Sequence, residues 1–355
     1  MIEAMQKAQM EAVVVTSEIN QRYLTGFAYT DGYVVVTPKK SWLVTDFRYV
    51  EAANATVDAA EFEVLTPGKM LPKIAELLHD AGATSVALEE ATLSLRDSER
   101  IEKALREVGI NCFRPEASAL IDGLRLYKDE EEIALMQKAQ DIADAAFTHI
   151  LSYINPDRTE IDVALELEFF MRAHGAESVS FDTIAASGKA SSMPHAVPRP
   201  VKLEKGFFTM DFGARVDGYC SDMTRTIVIG RADEEIKHVY NTVLTAQTTA
   251  LERICGSMPC CTADALARDI IDREGYGKAF GHSLGHGVGM FIHESPNVSP
   301  RSAENLLLQA GNVVTVEPGI YLEGKFGCRI EDMILINPDG TIYNFTKSNK
   351  DLIEI

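Results

Sequence analysis

The sequence predicts an α+β protein in two domains, a smaller α/β domain over residues 1–122 and a larger one over residues 123–355. Three observations carry this expectation. A chain of 355 residues with 46% hydrophobic content is long enough for two cores of ordinary size. Short apolar runs alternate with amphipathic helical patterns along the first third, as in an α/β unit. The remainder joins longer helical patterns to strand-like runs that carry acids inside them.

In the first domain the runs EAVVVTS, YVVVTP, SWLVTD and TSVALEE read as strands, and MLPKIAELLHDAG and LRDSERIEKALREVG as helices. Between Ile121 and Lys128 the chain passes to the second domain. There Asp129, with Glu132 three positions on, forms a capping pattern, and Ile133, Met136, Ala139, Ala143, Phe147 and Ile150 give an apolar face at helical spacing. Thr159 followed by Asp162 starts another helix, Asp233 a third and Thr262 a fourth. Their apolar stripes are expected to pack on a curved antiparallel sheet whose face carries the acids.

Composition excludes several classes. A net charge of −19 argues against nucleic acid as the main partner. Six cysteines, none in a CxxC spacing, make no disulfide framework at this size, and buried thiols are the expectation for the adjacent Cys260 and Cys261. The N-terminal MIEAMQKAQMEAVVV lacks a basic stretch ahead of an apolar core, and no run of about 18 apolar residues occurs, which points to the cytoplasm and away from membranes.

Chemistry concentrates in four segments. Asp217-Gly218 in MDFGARVDGYCSDMTRT is a hairpin signal, since both turn residues tolerate positive φ. With these two as the loop, Val216 pairs with Tyr219 and Gly213 with Asp222. Asp211 then becomes a diagonal neighbour of Asp222 on one face, at a separation of roughly 7–8 Å that two side chains can close around a metal. Cys220 shares that face and is expected near the site without a role. In GHSLGHGVGMFIHESP three of the chain's eight histidines fall within a glycine-rich stretch, where the backbone permits close approach. NVVTVEPGIY ends an apolar run on Glu317 before a Pro-Gly break, and CRIEDMILI puts Arg329 and Glu331 on one face of a further β-like run. Acids inside apolar strands call for cations. Four carboxylates and one imidazole suit hard or borderline divalent ions: Mn²⁺ leads, with Co²⁺, Fe²⁺ and Zn²⁺ open alternatives. The number of carboxylates exceeds what one catalytic zinc uses, so two ions are the economical reading.

The ordered segments MDFGA, SDMTRT, GHGVG, EPGIY and RIED closely resemble the pita-bread metallopeptidases, in their prolidase and aminopeptidase P branch. FDTIAASGKASSMPHAVP resembles that family's substrate-side loop, and NQRYLTGF the start of its creatinase-type N-terminal domain. The likeness runs from about Leu124 to the C-terminus. It implies two metal ions held by Asp211, Asp222, His286, Glu317 and Glu331, with Asp222 and Glu331 shared between them. A water activated between the ions would attack the scissile carbonyl, and Glu317 would carry its proton. His195 and His293 correspond to groups that stabilise the tetrahedral intermediate, and His282, Tyr321 and Arg329 to supporting or substrate-contacting positions. The implied reaction is hydrolysis of the peptide bond before proline in short peptides, by a homodimer whose N-terminal domain limits access from the amino side. An internal duplication is also implied, although no repeat is legible in the residues.

Blander readings compete. His282 and Tyr321 fit equally well as ordinary polar groups in a packed loop. His79, His149, His174 and His238 fall in helical patterns or at their ends and read as surface or capping residues. A metal-free hydrolase of the creatinase kind would lack several of the acids, a non-catalytic binding protein would lack ligands or His195 and His293, and a mononuclear iron oxygenase would use two histidines and one carboxylate. None of these patterns is seen.

Overall fold

Valine-rich triplets and quartets build the first unit, because β-branched side chains fit a pleated surface and alternate between its faces. The protein is described by a computed structural model covering residues 1–113 and 117–355, and it divides into the units Met1–Arg125 and Leu126–Ile355. The first unit holds β1 (Val13–Val15), β2 (Gly32–Val36), β3 (Ser41–Thr45), β4 (Phe62–Leu65), β5 (Ser85–Leu88) and β6 (Asn111–Phe113). They form one sheet in the order β4-β3-β2-β1-β5-β6. Val13 and Val15 enter one core and Val14 the other, as the period of two requires. The expected strands are β1, β2, β3 and β5. The two that the sequence hid, β4 and β6, are the edges, where half-exposed residues such as Glu63 blur the alternation. Six helices accompany the sheet: α1 (Ile2–Lys7), α2 (Glu18–Thr25), α3 (Val50–Thr56), α4 (Met70–Asp80), α5 (Leu95–Arg106) and α6 (Ala117–Arg125). The buried Glu89 carboxylate after β5 accepts from Ser17 N and Asn20 Nδ2, fixing the start of α2 within NQRYLTGF.

The second unit is built twice over. Helices α7 (Glu130–Tyr153) and α8 (Glu160–Ala173) recur as α9 (Glu234–Arg253) and α10 (Cys260–Arg273), α8 and α10 being 14 residues each. Buried positions correspond across the copies, Ile154 with Ile254, Val163 with Ala263, Leu167 with Ala267 and Met171 with Ile271. The duplication escaped the sequence reading because the copies share burial rather than residue identity. Asp129 caps α7 through Glu132 N, and Glu132 returns the bond to Asp129 N. Thr159 and Asp162 do the same for α8, and Asp233 accepts from Ile236 N ahead of α9. The expected start at Thr262 is corrected to Cys260. Pro259 precedes the helix without a side-chain cap, and Cys260 N–H donates instead to Leu306 O at 2.9 Å.

Several small sheets replace the single curved one expected. β7 (Ser178–Val179), β10 (Ala214–Val216) and β11 (Tyr219–Cys220) form one, and β8 (Ile184–Ser187), β9 (Gly206–Phe212) and β12 (Met223–Ile229) a second. β13 (Gly285–Gly287), β14 (Glu294–Val298), β15 (Val313–Val316), β18 (Asp332–Ile336) and β19 (Ile342–Asn344) make a five-stranded sheet, while β16 (Gly319–Leu322) pairs with β17 (Phe326–Arg329). The hairpin has the expected turn and register: φ is +47° at Asp217 and +88° at Gly218, Val216 pairs with Tyr219, and Asp211 with Thr224. Between Gly213 and Asp222 its two arms leave one sheet for the next. A Cβ on Gly213 would lie 1.9 Å from Ser221 O, so only glycine allows that crossing. The run CRIEDMILI is likewise split, β17 ending at Arg329 and β18 starting at Asp332.

A guanidinium ties β12 to β18 beneath this break. Arg225 donates to the carbonyls of Thr224, Glu331, Ser348 and Asn349 and to Asp332 Oδ1, which is 2.8 Å from Nη2. Both side chains are essentially inaccessible, at 1% and 0%. Lys350 and Asn344 take the other Asp332 oxygen. Burial pushes the Asp332 carboxyl up, but Arg225 and Lys350 more than offset this and hold it below the usual range. Removing one partner leaves an uncompensated buried charge, so Arg225→Met should lower unfolding free energy by about 3–5 kcal/mol in denaturant titration. Arg225→Lys should recover little of the loss, since one ammonium cannot span those acceptors.

Candidate active site

One cavity of about 930 Å³ in the second unit collects His195, Asp211, Asp222, His282, His286, His293, Glu317, Arg329 and Glu331 along its lining. Tyr321 stands behind it, against His282 and Arg329. Each copy of the duplicated scaffold contributes. Asp211 is near the end of β9 and Asp222 directly before β12, while His286 lies in β13, Glu317 between β15 and β16, and Glu331 immediately before β18. The acids sit at strand ends because breaks in the ladder, such as Pro318 after Glu317, turn the chain there. An apolar wall of Ile161, Leu165, Phe181, Ile184, Val197 and Ile292 completes the cavity.

Within it Asp222, His286 and Glu331 offer three ligand atoms that all lie within 4.8 Å of one another. His286 Nε2 is also 3.6 Å from Asp222 Oδ2 and 3.4 Å from Glu317 Oε1. Its Nδ1 lies 3.1 Å from Gly287 O, which assigns the proton to Nδ1 and leaves the Nε2 lone pair toward the acids. Burial pulls the His286 imidazole down to about 4, so it is neutral at pH 7, as a metal ligand must be.

The acids are crowded and buried. Burial, then Glu331, Asp211 and Glu317, push the Asp222 carboxyl well up; burial, then Glu317 and Asp211, do the same to Glu331. Glu317 is pushed up to about 8, mainly by burial and also by Asp211. Arg329 opposes them: Nη2 is 2.6 Å from Asp211 Oδ2, and Nε donates to Thr224 Oγ1. The other Asp211 oxygen is buried with no hydrogen-bond partner among the described residues. One arginine does not neutralise four carboxylates, and that orphaned oxygen faces the same need, so the donor set fits divalent cations.

Supporting groups that the sequence reading missed fix the acids. Thr224 Oγ1 donates to Glu331 Oε2 at 2.6 Å, and Thr315 Oγ1 lies 3.3 Å from Glu317 Oε1. Their one signal is position, two residues after Asp222 and two before Glu317. Arg329 Nη1 donates to Tyr321 Oη at 2.7 Å, and Tyr321 is 2.9 Å from His282 Nε2. Burial, then the Arg329 charge, hold the His282 imidazole down at about 4. A neutral His282 with Nδ1 toward Ser283 O accepts the Tyr321 hydroxyl, so these three form one directed chain rather than separate loop residues. His195 and His293 are exposed at the cavity wall, the His293 ring edge-on to His286 at 4.4 Å.

Two expectations near the site change. Cys220 is buried with Sγ 3.7 Å from Met290 O and does not line the cavity, because the change of sheet between Cys220 and Met223 interrupts the face alternation. Cys260 is buried as expected, whereas Cys261 is half-buried and Cys255 exposed. The remaining histidines do not line the cavity: His79, His149 and His238 lie on helices and His174 caps the end of α8, with His149 stacked on Phe170 and hydrogen-bonded to Glu166. Among the described residues no helix is long and apolar enough to cross a membrane.

Comparison with known proteins gives a consistent result. Residues 134–338 match metallopeptidase family M24, and residues 1–127 match the creatinase/prolidase N-terminal domain. The chain is 41% identical to the uncharacterized peptidase YqhT of Bacillus subtilis over 97% of this chain and 96% of that one. It is 35% identical to a Xaa-Pro dipeptidase of Pyrococcus horikoshii over 99% and 97%. Among solved structures it superposes on a Xaa-Pro dipeptidase from Bacillus anthracis with TM-score 0.94 and 41% identity, covering 100% of this chain and 99% of that one. For an X-Pro aminopeptidase from Thermotoga maritima the values are 0.91, 33%, 99% and 100%.

The crowded acids set a pH dependence. A carboxyl whose folded pKa is raised adds stability that is present below its unfolded value and lost as pH rises through the folded value. For Glu317 that window runs from 4.5 to about 8. Protein stripped by a chelator should therefore lose thermal stability between pH 5 and 8 and regain it on adding Mn²⁺. Asp222→Asn should flatten the pH slope of the stripped protein and shrink the Mn²⁺-induced rise, both read by differential scanning fluorimetry.

Proposed function

The chain belongs to metallopeptidase family M24 and is a metallo-exopeptidase with a pita-bread catalytic domain behind a creatinase-type N-terminal domain, and we propose that it hydrolyses the peptide bond preceding proline in short peptides. The observation that carries this reading is the cluster of buried Asp222 and Glu331 with half-buried His286 in a cavity flanked by two exposed histidines. We assign residues 1–122 to the N-terminal domain and 123–355 to the catalytic domain.

Asp211, Asp222, His286, Glu317 and Glu331 would hold two divalent ions, Mn²⁺ first among the candidates. When bound, such ions activate a water and polarise the scissile carbonyl. The chain's own residues do the rest. Arg329 holds Asp211, Thr224 holds Glu331, and the Nδ1–H of His286 fixes its ring, so the donors are oriented before a ligand arrives. Glu317 takes the proton of the attacking water at a carboxylate oxygen and delivers it to the proline nitrogen, which leaves as a secondary amine. His195 and His293 donate hydrogen bonds to the carbonyl oxygen as negative charge develops on it. His282 and Tyr321 keep Arg329 in place. Selectivity follows from the tertiary amide, which offers no N–H and brings a ring that the wall of Ile161, Phe181, Ile184 and Val197 can accept.

Glu317→Gln should lower kcat by about 10²–10⁴-fold and His293→Ala by about 10²-fold, measured on Ala-Pro and Ala-Pro-Ala with Mn²⁺, Co²⁺ and Zn²⁺ in turn. His286→Ala should also reduce bound metal per subunit. Comparing the two peptides separates a dipeptidase from an aminopeptidase. Undiminished turnover in a thoroughly stripped sample would falsify the mechanism.

A further inference from the structure

Behind His293 lies a buried ion pair that this mechanism does not use. Lys128 Nζ is 3.1 Å from Glu294 Oε2, and the two side chains are 1% and 4% exposed. A buried pair gives little net stability over apolar side chains of the same volume, so folding alone does not account for it. The second oxygen of Glu294 suggests what it is for, because Oε1 accepts the Phe291 N–H at 3.0 Å. Residues 288–293, from the end of β13 to the start of β14, belong to no strand or helix. Inside that loop Gly289 N–H donates to Phe291 O at 3.1 Å. A Cβ on Gly289 would lie 2.7 Å from Glu294 Oε2, so the glycine is what lets the carboxylate reach into the loop.

His293 is thus carried on a segment folded around a carboxylate, and Lys128 is the cation beside that carboxylate. Lys128 is itself anchored, its N–H donating to Gly311 O at 2.9 Å while the next residue, Asp129, caps α7. We infer that Lys128 is a positioning residue for His293, acting through Glu294. With Lys128 removed, the buried Glu294 carboxylate, which lines the same cavity as Asp222, Glu317 and Glu331, loses its ammonium partner. It then moves toward water or takes up a proton, and either change releases the Phe291 amide and lets the His293 ring drift. The inference rests on the assignment of His293 to the reaction.

The test uses the full-length Mn²⁺-loaded enzyme on Ala-Pro-Ala and Ala-Pro, with kcat, KM and bound metal measured for Lys128→Met, Lys128→Arg, Glu294→Gln and His293→Ala. Displacement of a reacting group by an ångström can cost about a hundredfold, so Lys128→Met should lose at least about tenfold in kcat, with KM within about twofold and metal content unchanged. Lys128→Arg should recover most of that loss. The double variant Lys128→Met with Glu294→Gln keeps an acceptor for Phe291 without a buried charge and should be faster than Lys128→Met alone. If Lys128→Met does not fold, Glu294→Ala, which removes the acceptor of the Phe291 N–H, is measured in its place with the same expectation of a loss confined to kcat. Wild-type kcat in Lys128→Met, or a loss matched by loss of metal, overturns the inference. Wild-type turnover in His293→Ala has a different signature, since it removes the assignment of His293 on which the inference stands.

Discussion

Like charges buried together constrain everything around the cavity. Asp211, Asp222, Glu317 and Glu331 share one lining with a single guanidinium, Arg329. Two carboxylates about 4 Å apart repel by about 4 kcal/mol at the effective dielectric of a protein surface, and by more when deeply buried. A protein does not keep four of them in one place by packing alone. Three of them are held by donors whose own partners are fixed: Arg329 on Asp211, Thr224 on Glu331 and Thr315 near Glu317. The same crowding that favours a cation in the cavity is expected to weaken the protein without one, so both effects have one cause.

The duplicated scaffold explains how residues more than a hundred positions apart converge. Each helix pair backs its own small sheet, and the acids project where strands end or change sheets. The first copy supplies Asp211 and Asp222 from one hairpin. The second supplies His286 from within β13, and Glu317 and Glu331 from two strand boundaries. Breaks in regular structure are what make this possible, since a continuous strand would carry its side chains in strict alternation and could not aim so many at one point. Gly213 at the crossing and Pro318 after Glu317 are therefore part of the site although neither has a reactive group.

What the sequence made legible was local. The caps at Asp129, Thr159 and Asp233 involve partners three residues away, and the turn at Asp217-Gly218 fixes the register of its own arms. The acids of the cavity were readable because an acid inside an apolar run is costly to bury unless a cation sits beside it. Features set by distant chain were not. The start of α10 is decided by Leu306, the placement of Cys220 by a change of sheet, and the edges β4 and β6 by having one neighbour instead of two. Thr224 and Arg225 are unremarkable in sequence and acquire meaning only when β12 meets β18.

Ion pairs with a buried carboxylate recur around the cavity, and their distribution says how the site is kept rigid. Arg225 with Asp332 lies under Glu331, and Lys128 with Glu294 lies behind His293. Arg199 with Glu160 secures the loop that follows β8 and carries His195, the Glu160 oxygens accepting from Ser187 N and Arg199 N as well. Apolar side chains in these places would fold the chain as well or better. They would not, however, fix irregular backbone, because dispersion contacts have no preferred direction while a carboxylate that accepts an amide N–H and a cation together does. The loops that carry His195 and His293 cannot draw rigidity from a ladder of backbone bonds. A charge placed behind each of them supplies the direction that the missing ladder would have given.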